Sequence, residues 1–168
     1  VYHLNEGHAA FLTFELWHRE MAAGLDADAA WSALKKTCVF TTHTPVSAGH
    51  DRFTWVQFNS VAKGFRADMG LTEGAMISRG RVDPSNLDEK LCMTVLGMKG
   101  SRSVNGVSEL HGEVSREMWK LLPVKIEHIT NGVHAGAWLA PETKALFDSY
   151  LPNWTEHFED ASFWNAVN

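Results

Sequence analysis

Apolar runs of strand length alternate with apolar residues at helical spacing along this chain. Residues 1–4 predict a strand, and the helical pattern over about residues 8–23 ends before Gly24, a typical C-cap residue. This pattern is apolar on more than one face, so we expect a deeply buried helix. Asp26 is a good N-cap for a second helix, whose apolar residues follow the i, i+3, i+4, i+7 spacing.

The same alternation continues through the rest of the chain. A β-branched and aromatic run over residues 37–42 predicts the second strand, and residues 43–52 predict a loop. After helical patterns interrupted by glycine and proline, the predicted elements are a helix over about 87–98, a strand over 102–104, an apolar helical stripe over 107–121, a strand over 125–130, and short helices beginning near Pro141 and Asp160, with a helical pattern still present over 163–168. Strands separated by helices indicate parallel β-α-β units, and therefore an α/β fold.

Composition places the chain among globular domains of ordinary size. It has 168 residues, 45% of them hydrophobic and 21% charged, which argues against intrinsic disorder. The net charge of −5 argues against nucleic acid as a partner. No apolar run reaches the roughly 18 residues of a membrane span. Seven tryptophans and nine histidines could serve a sugar site, although aromatic filling of the core explains most of them.

The cysteines and the chain ends bear on where the protein works. We expect Cys38 in a buried strand and Cys92 in a helix, and so few cysteines favour a reducing, cytoplasmic compartment. The first residues have neither the basic segment nor the cleavage site of a signal peptide. Because the chain begins within a strand pattern and stops within a helical one, we expect it to be part of a longer protein.

Polar residues follow all four main predicted strands. The strand ends read His3-Leu4-Asn5-Glu6-Gly7-His8, Thr41-Thr42-His43-Thr44, Val104-Asn105-Gly106-Val107 and Thr130-Asn131-Gly132-Val133. Helix capping explains any single Asn-Gly pair better than a ligand does. Four polar ends in one sheet nevertheless favour a site, because parallel sheets bind ligands at the carboxyl ends of their strands. Imidazole, amide and hydroxyl groups suit the hydroxyls of a sugar.

Other chemistries lack their motifs. Glu6 is the only acid at a strand end, whereas a glycosidase needs two carboxylates. The sequence contains no G-x-G-x-x-G, no G-x-x-x-x-G-K-[ST] and no G-x-S-x-G motif. Glu15 and His18 have the spacing of a di-iron ligand pair, but the pair occurs once, so a solvated or packed helix face is favoured and we expect no metal site. His111 is interpreted as a helix-surface residue or one that supports the site.

Four segments resemble the α-glucan phosphorylases. They are LNEGHAAF (4–11), FTTHTPVSAGH (40–50), VNGVSELHGE (104–113) and ITNGVH (129–134), and they occur in the family's order. The resemblance covers essentially the whole chain and is closest to the short bacterial and archaeal branch of glycogen, starch and maltodextrin phosphorylases. It implies an α/β fold with a Rossmann-like parallel sheet and flanking helices, part of a two-domain GT-B glycosyltransferase. Residues 1–130 would be the C-terminal portion of the N-terminal domain, and 131–168 the crossover and the start of the second domain.

The resemblance also implies a reaction and its partners. Such enzymes transfer the terminal glucose of an α-1,4-glucan to phosphate and give α-glucose 1-phosphate with retained configuration. Pyridoxal phosphate, bound to a lysine of the C-terminal domain, donates a proton through its phosphate group. That domain is missing here, so we expect the chain alone to be inactive and the intact enzyme to be a homo-oligomer.

Six residues of this sequence match functional positions of the family. The resemblance places His43 and Asn131 at the terminal glucose, and Glu6 and His8 on the acceptor side. It places Val104 in the pocket wall and Trp138 beside the cofactor. His43, the catalytic candidate, would bind the glucose 6-hydroxyl and hold its backbone carbonyl near the reacting carbon. Asn131 would bind the same hydroxyl.

The chain departs from the family in two loops. Ser47 stands where close relatives usually have proline, and residues 135–137 replace a stiffer Thr-Pro-Thr-like segment. No lysine lies in a matching motif, so none is assigned to the cofactor. Two alternatives stay open, namely a synthase-like transferase that uses a nucleotide sugar, and a non-catalytic glucan-binding domain or truncated relic.

Overall fold

Strands and helices alternate through residues 1–165, which the computed structural model describes. The strands are β1 (Tyr2–Asn5), β2 (Cys38–Thr41), β3 (Arg52–Phe53), β4 (Leu91–Cys92), β5 (Ser103–Gly106) and β6 (Ile126–His128). The helices are α1 (Leu12–Ala22), α2 (Ala27–Lys35), α3 (Trp55–Asp68), α4 (Glu73–Ile77), α5 (Met93–Lys99), α6 (Glu109–Met118), α7 (Ala135–Trp138), α8 (Pro141–Tyr150) and α9 (Ala161–Trp164). The predicted helical pattern over 163–168 falls partly on residues 166–168, which lie outside the described residues.

Four strands form one parallel sheet in the order β1-β2-β5-β6. They are the four main strands that the sequence predicts, so the prediction of an α/β fold is confirmed. Strands β3 and β4 form a separate antiparallel pair. The sequence did not predict this pair, because each of its strands has only two residues.

One face of the parallel sheet forms a wall of the hydrophobic core. Leu4, Phe40, Val104 and Ile126 lie in register on neighbouring strands, and all four are buried. Helix α5 packs against this face so closely that a Cβ on Gly97 would lie 2.4 Å from the ring of Phe40. Only glycine allows this approach without displacing the aromatic ring.

Tryptophan side chains fill the space between α1 and α2. Trp17 donates its indole N–H to the carbonyl of Ala27 at 2.7 Å and meets Trp31 edge to face, with ring centroids 5.0 Å apart. The guanidinium of Arg79 lies 5.0 Å and 4.9 Å from the two ring centroids and pairs with Asp28 at 2.7 Å. Both indoles therefore serve packing, as the core-filling interpretation predicts.

Two helix predictions are confirmed with shifted ends. The pattern over 8–23 forms a 3₁₀ turn followed by α1, and Asp26 caps α2 by accepting two backbone N–H groups. Helix α1 buries Phe14 and Trp17, whereas Arg19 on its other face is exposed. Deep burial therefore holds for one face of this helix only.

The predicted helix over 87–98 is wrong in its first half. Leu91–Cys92 forms β4 and α5 begins at Met93, so Cys92 lies in a strand rather than in a helix. This strand is specified by its pairing with β3, which local apolar spacing does not reveal. Cys38 and Cys92 are free and buried, and burial raises the pKa of each thiol.

The predicted apolar stripe does not describe how α6 packs. Leu110 is 70% exposed and Leu121 is 79% exposed, whereas His111 and Gly112 are buried. A Cβ on Gly112 would lie 3.0 Å from Cβ of His128, so the helix meets β6 through a small residue. Of the two interpretations of His111, the surface position is therefore wrong, and a role in supporting the site stays a prediction.

The chain divides into two compact units, residues 1–131 and 132–168. The second unit contains α7, α8 and α9 around the buried Trp154, whose indole N–H donates to Asp148 at 2.9 Å. Phe147 and Phe158 meet Trp154 edge to face, with ring centroids 5.3 Å and 5.4 Å away. The assignment of residues 1–130 and 131–168 to two domains of a larger enzyme stays a prediction.

No helix within residues 1–165 combines the length and the apolar character needed to cross a membrane, and the longest, α3, has 14 residues.

Candidate active site

A cavity of about 410 Å³ lies on the polar face of the sheet, toward the carboxyl ends of its strands. Six lining residues lie on β1, β2 and β5, where they alternate with core residues: His3, Asn5, Val39, Thr41, Ser103 and Asn105. The other three come after β2 and β6: His43, Ile129 and Asn131. Residues from the ends of all four strands therefore meet in one cavity, where parallel sheets bind ligands.

Three polar groups of this face form a hydrogen-bonded chain across neighbouring strands. Thr41 Oγ1 donates to Asn105 Oδ1 at 3.0 Å, and His3 Nε2 lies 2.8 Å from Thr41 Oγ1. Since the single hydroxyl proton of Thr41 goes to Asn105, the ring of His3 donates at Nε2. The wall of the cavity is thus held by hydrogen bonds among an imidazole, a hydroxyl and an amide.

His43 lines the cavity with an exposed ring. Its Nε2 lies 2.6 Å from Oδ1 of Asn5, and an amide oxygen only accepts, so Nε2 carries the proton. In the neutral ring Nδ1 is then an acceptor. An imidazole held in this form can accept a hydrogen bond from a sugar hydroxyl.

Glu6 holds the loop that carries His43. Oε2 of its half-buried carboxylate accepts the backbone N–H of His43 at 2.5 Å and the hydroxyl of Thr44 at 3.0 Å. Oε1 accepts the N–H of Gly7 at 3.1 Å and the hydroxyl of Thr42 at 3.5 Å. With φ at 74° and ψ at 172°, the backbone of Glu6 lies in a region that residues other than glycine avoid.

His50, which is buried, anchors the far end of the same loop. Its Nδ1 lies 2.8 Å from Oγ1 of Thr94, and its ring meets Trp119 edge to face with centroids 4.9 Å apart. Burial lowers the pKa of His50 and thereby favours the neutral imidazole. The loop between β2 and β3 is therefore held at both ends.

The structure brings together two of the six predicted site residues in the cavity and places a third beside them. His43 and Asn131 line the cavity, and Glu6 contacts the backbone of His43. His8 is exposed on the 3₁₀ turn after β1 and is not among the lining residues. The binding roles of these residues stay predictions.

The other two predicted residues lie elsewhere. The side chain of Val104 is 1% exposed and faces the core beside Phe40, because alternate residues of a strand point to opposite faces. The apolar part of the cavity wall is formed by Val39 and Ile129 instead. Trp138 belongs to the second unit, where its side chain is 82% exposed.

Several lining residues have no predicted role in the site. His3, Asn5, Thr41 and Asn105 are predicted only as polar strand ends. In the structure they form the wall of the cavity, and Asn5 also orients the ring of His43. The signal was available, because these polar residues alternate with buried apolar ones along their strands.

The Glu15 and His18 pair has ordinary surface partners. Glu15 pairs with Arg19 at 2.7 Å, and the ring of His18 packs edge to face on Phe65 with centroids 5.2 Å apart. Within residues 1–165, no group of three or more His, Cys, Asp or Glu side chains is arranged to hold a metal ion.

A parallel α/β unit with a polar cavity at its strand ends is typical of proteins that bind a small polar ligand. A family model for carbohydrate phosphorylases matches residues 1–161. The chain is 37% identical over 175 residues to the maltodextrin phosphorylase of Thermococcus litoralis. The aligned region covers 99% of the chain and 20% of that protein. It is 40% identical over 157 residues to the glycogen phosphorylase of Mycobacterium tuberculosis. Here the aligned region covers 84% of the chain and 18% of that protein. This chain belongs to the carbohydrate phosphorylase family.

Similarity extends to animal relatives at lower identity. The human brain form of glycogen phosphorylase is 29% identical over 175 residues, covering 92% of the chain and 21% of that protein. The chain thus spans about a fifth of the length of the curated relatives that it matches.

Proposed function

We propose that this chain supplies the glucose-binding side of an α-1,4-glucan phosphorylase, a retaining two-domain GT-B glycosyltransferase. The reaction transfers the terminal glucose of glycogen or a maltodextrin to phosphate and yields α-glucose 1-phosphate. The observation that carries the proposal is the cavity in which His43 and Asn131 meet, in a chain of this family. In this proposal, residues 1–130 belong to the N-terminal domain, and residues 131–168 form the crossover and the start of the C-terminal domain. The intact enzyme is a homo-oligomer.

His43 and Asn131 act as hydrogen-bonding partners of the terminal sugar. The acceptor nitrogen Nδ1 of His43 accepts a hydrogen bond from a hydroxyl of the glucose, and the Asn131 amide can both donate and accept. An amide and an imidazole in its neutral form orient the sugar without adding a charge beside the reacting bond. A site that pairs a hydroxyl in this way can reject an analogue lacking it by about 10⁴–10⁵-fold.

The residues of the cavity do not by themselves fit pyridoxal phosphate. No lysine is among its lining residues within 1–165, so the described fold offers no amine there for an imine link. The exposed indole of Trp138 offers an aromatic surface, which suits packing beside the cofactor but not holding it. We therefore propose that the cofactor is held by the C-terminal domain, and that this chain contributes to the sugar side.

The test is phosphorolysis of maltodextrin by the intact enzyme that carries this chain. We expect His43→Ala to lower kcat/KM by about 10²–10⁴-fold, since the variant loses a partner of the reacting sugar, while cofactor content measured by absorbance stays unchanged. The matched control is His18→Ala, which removes a half-buried imidazole from a helix face outside the cavity and should leave kcat/KM within about twofold.

Three results would contradict the proposal. Normal kinetics in the His43→Ala variant would remove His43 from the site. Glucosyl transfer from ADP-glucose or UDP-glucose, without phosphorolysis, would support a synthase-like transferase. Binding of maltodextrin without any turnover would support a glucan-binding domain or a relic.

A further inference from the structure

We propose that Glu6 is a positioning residue for His43 and does not itself bind the glucan. This inference rests on the proposed function. It gives Glu6 a different role from the acceptor-side contact that the resemblance implies.

The protein already occupies the carboxylate of Glu6 with three hydrogen bonds of 3.1 Å or less and a longer contact to the Thr42 hydroxyl. Its two oxygens accept from two backbone N–H groups and two hydroxyls, at distances of 2.5 to 3.5 Å. An ionised carboxylate offers about four acceptor positions. A sugar hydroxyl could therefore bind to Glu6 only if one of these contacts were lost.

Three of the four donors belong to the segment that carries the catalytic candidate. They are the hydroxyls of Thr42 and Thr44 and the backbone N–H of His43. Asn5, the residue before Glu6, accepts from the ring of His43. The end of β1 thus holds both the backbone and the imidazole of His43, which fixes where its carbonyl and Nδ1 point.

Backbone geometry at Glu6 provides an independent observation. A φ of 74° with ψ of 172° is a conformation that glycine adopts freely and glutamate does not. The turn cannot relax easily toward α5, because a Cβ on the neighbouring Gly7 would already lie 3.2 Å from Cβ of Met93 and from Oγ1 of Thr94. Glycine would fit position 6 without strain, yet the chain has glutamate there. Strained backbone conformations of this kind cluster at functional sites.

Three variants of the intact enzyme separate charge from strain. Glu6→Gln keeps the size but presents an NH₂ group to donors, Glu6→Ala removes the carboxylate and keeps the strain, and Glu6→Gly removes both. We expect all three to lower kcat for maltodextrin phosphorolysis by about 10²-fold, because the reacting group is misplaced. KM should change by less than about threefold, since no glucan contact is lost.

A double-mutant cycle tests whether Glu6 acts through His43. If it does, Glu6→Gln combined with His43→Ala should be no slower than His43→Ala alone, within about threefold. Losses that multiply would show a separate contact of Glu6 with substrate and overturn the inference. A large rise in KM with unchanged kcat would do the same.

Thermal unfolding tests the strain. Glu6→Gly should melt about 2–4 °C above Glu6→Ala, although both have a similarly lowered kcat, because only alanine retains the unfavourable φ. Equal melting temperatures would remove the strain argument and overturn that part of the inference.

Amide hydrogen exchange separates this inference from the proposed function. Exchange over residues 42–44 should speed up by at least about tenfold in Glu6→Gln, whatever reaction the wild-type enzyme catalyses. If the wild type shows no phosphorolysis but exchange still speeds up, the function fails and the positioning role stands. Unchanged exchange overturns the positioning role.

Discussion

The two faces of the parallel sheet are stabilised in different ways although they share the same strands. Phe40 on the core face is held by close packing against α5, whereas Thr41 and Asn105 on the cavity face are held by hydrogen bonds. Packing depends on volume at each position, while a polar network depends on every donor and acceptor keeping its partner. The effect of a substitution should therefore depend on the face that it reaches.

The largest effect is expected on the core face. Phe40→Ala should lower the free energy of unfolding by about 3–5 kcal/mol, because it leaves a cavity against Gly97 where the helix and the sheet cannot close freely. The measurement is urea unfolding of the purified protein followed by circular dichroism. Val39→Ala, on the cavity face of the same strand, is the control and should cost less than about 1 kcal/mol. Equal losses for the two variants would refute the contrast between the faces.

An intermediate effect is expected on the cavity face. Thr41→Val keeps the shape of the side chain but leaves Asn105 and His3 without their shared partner, so the free energy of unfolding should fall by about 1–2 kcal/mol. Thr41→Ser retains the hydroxyl and should lose less, as the same urea experiment can measure. If the Thr41→Val variant were as stable as the wild type, the hydrogen-bond network would make no contribution to the free energy of unfolding.

The smallest effect at neutral pH concerns His50, a polar residue on the buried side. Its folded pKa is lowered mainly by burial; Arg52 and His111 lower it further, whereas Glu6 and Asp51 raise it. The stability that the neutral ring contributes is complete above the unfolded pKa of about 6.5 and is lost as the pH falls below it. We expect the urea midpoint of the wild type to fall more steeply between pH 7.5 and pH 5.5 than that of His50→Gln. Parallel declines would show that His50 does not cause the acid sensitivity.

The sequence predicted the sheet because its strands are self-contained signals. A β-branched run such as residues 37–42 indicates a strand without knowledge of its neighbours. Strand β4 was missed and α6 was misjudged for the opposite reason. Their packing depends on partners distant in sequence, β3 for Leu91–Cys92 and β6 for Gly112.

The candidate site was predictable in composition but not in geometry. Polar strand ends indicated a ligand site, and the motifs indicated His43 and Asn131. The side-chain direction of Val104 follows from strand alternation and register, which place it toward the core. The hydrogen bonds of Glu6 could not be read from the sequence, since they depend on a backbone conformation that glutamate rarely adopts.

The two buried thiols can report local opening of the first unit. Cys38 and Cys92 lie in different sheets, and both have a raised pKa that suppresses the reactive thiolate. An alkylating reagent reaches either sulfur only when the surrounding structure opens. The ratio of their labelling rates therefore tells whether the parallel sheet and the small antiparallel pair come apart together or one before the other.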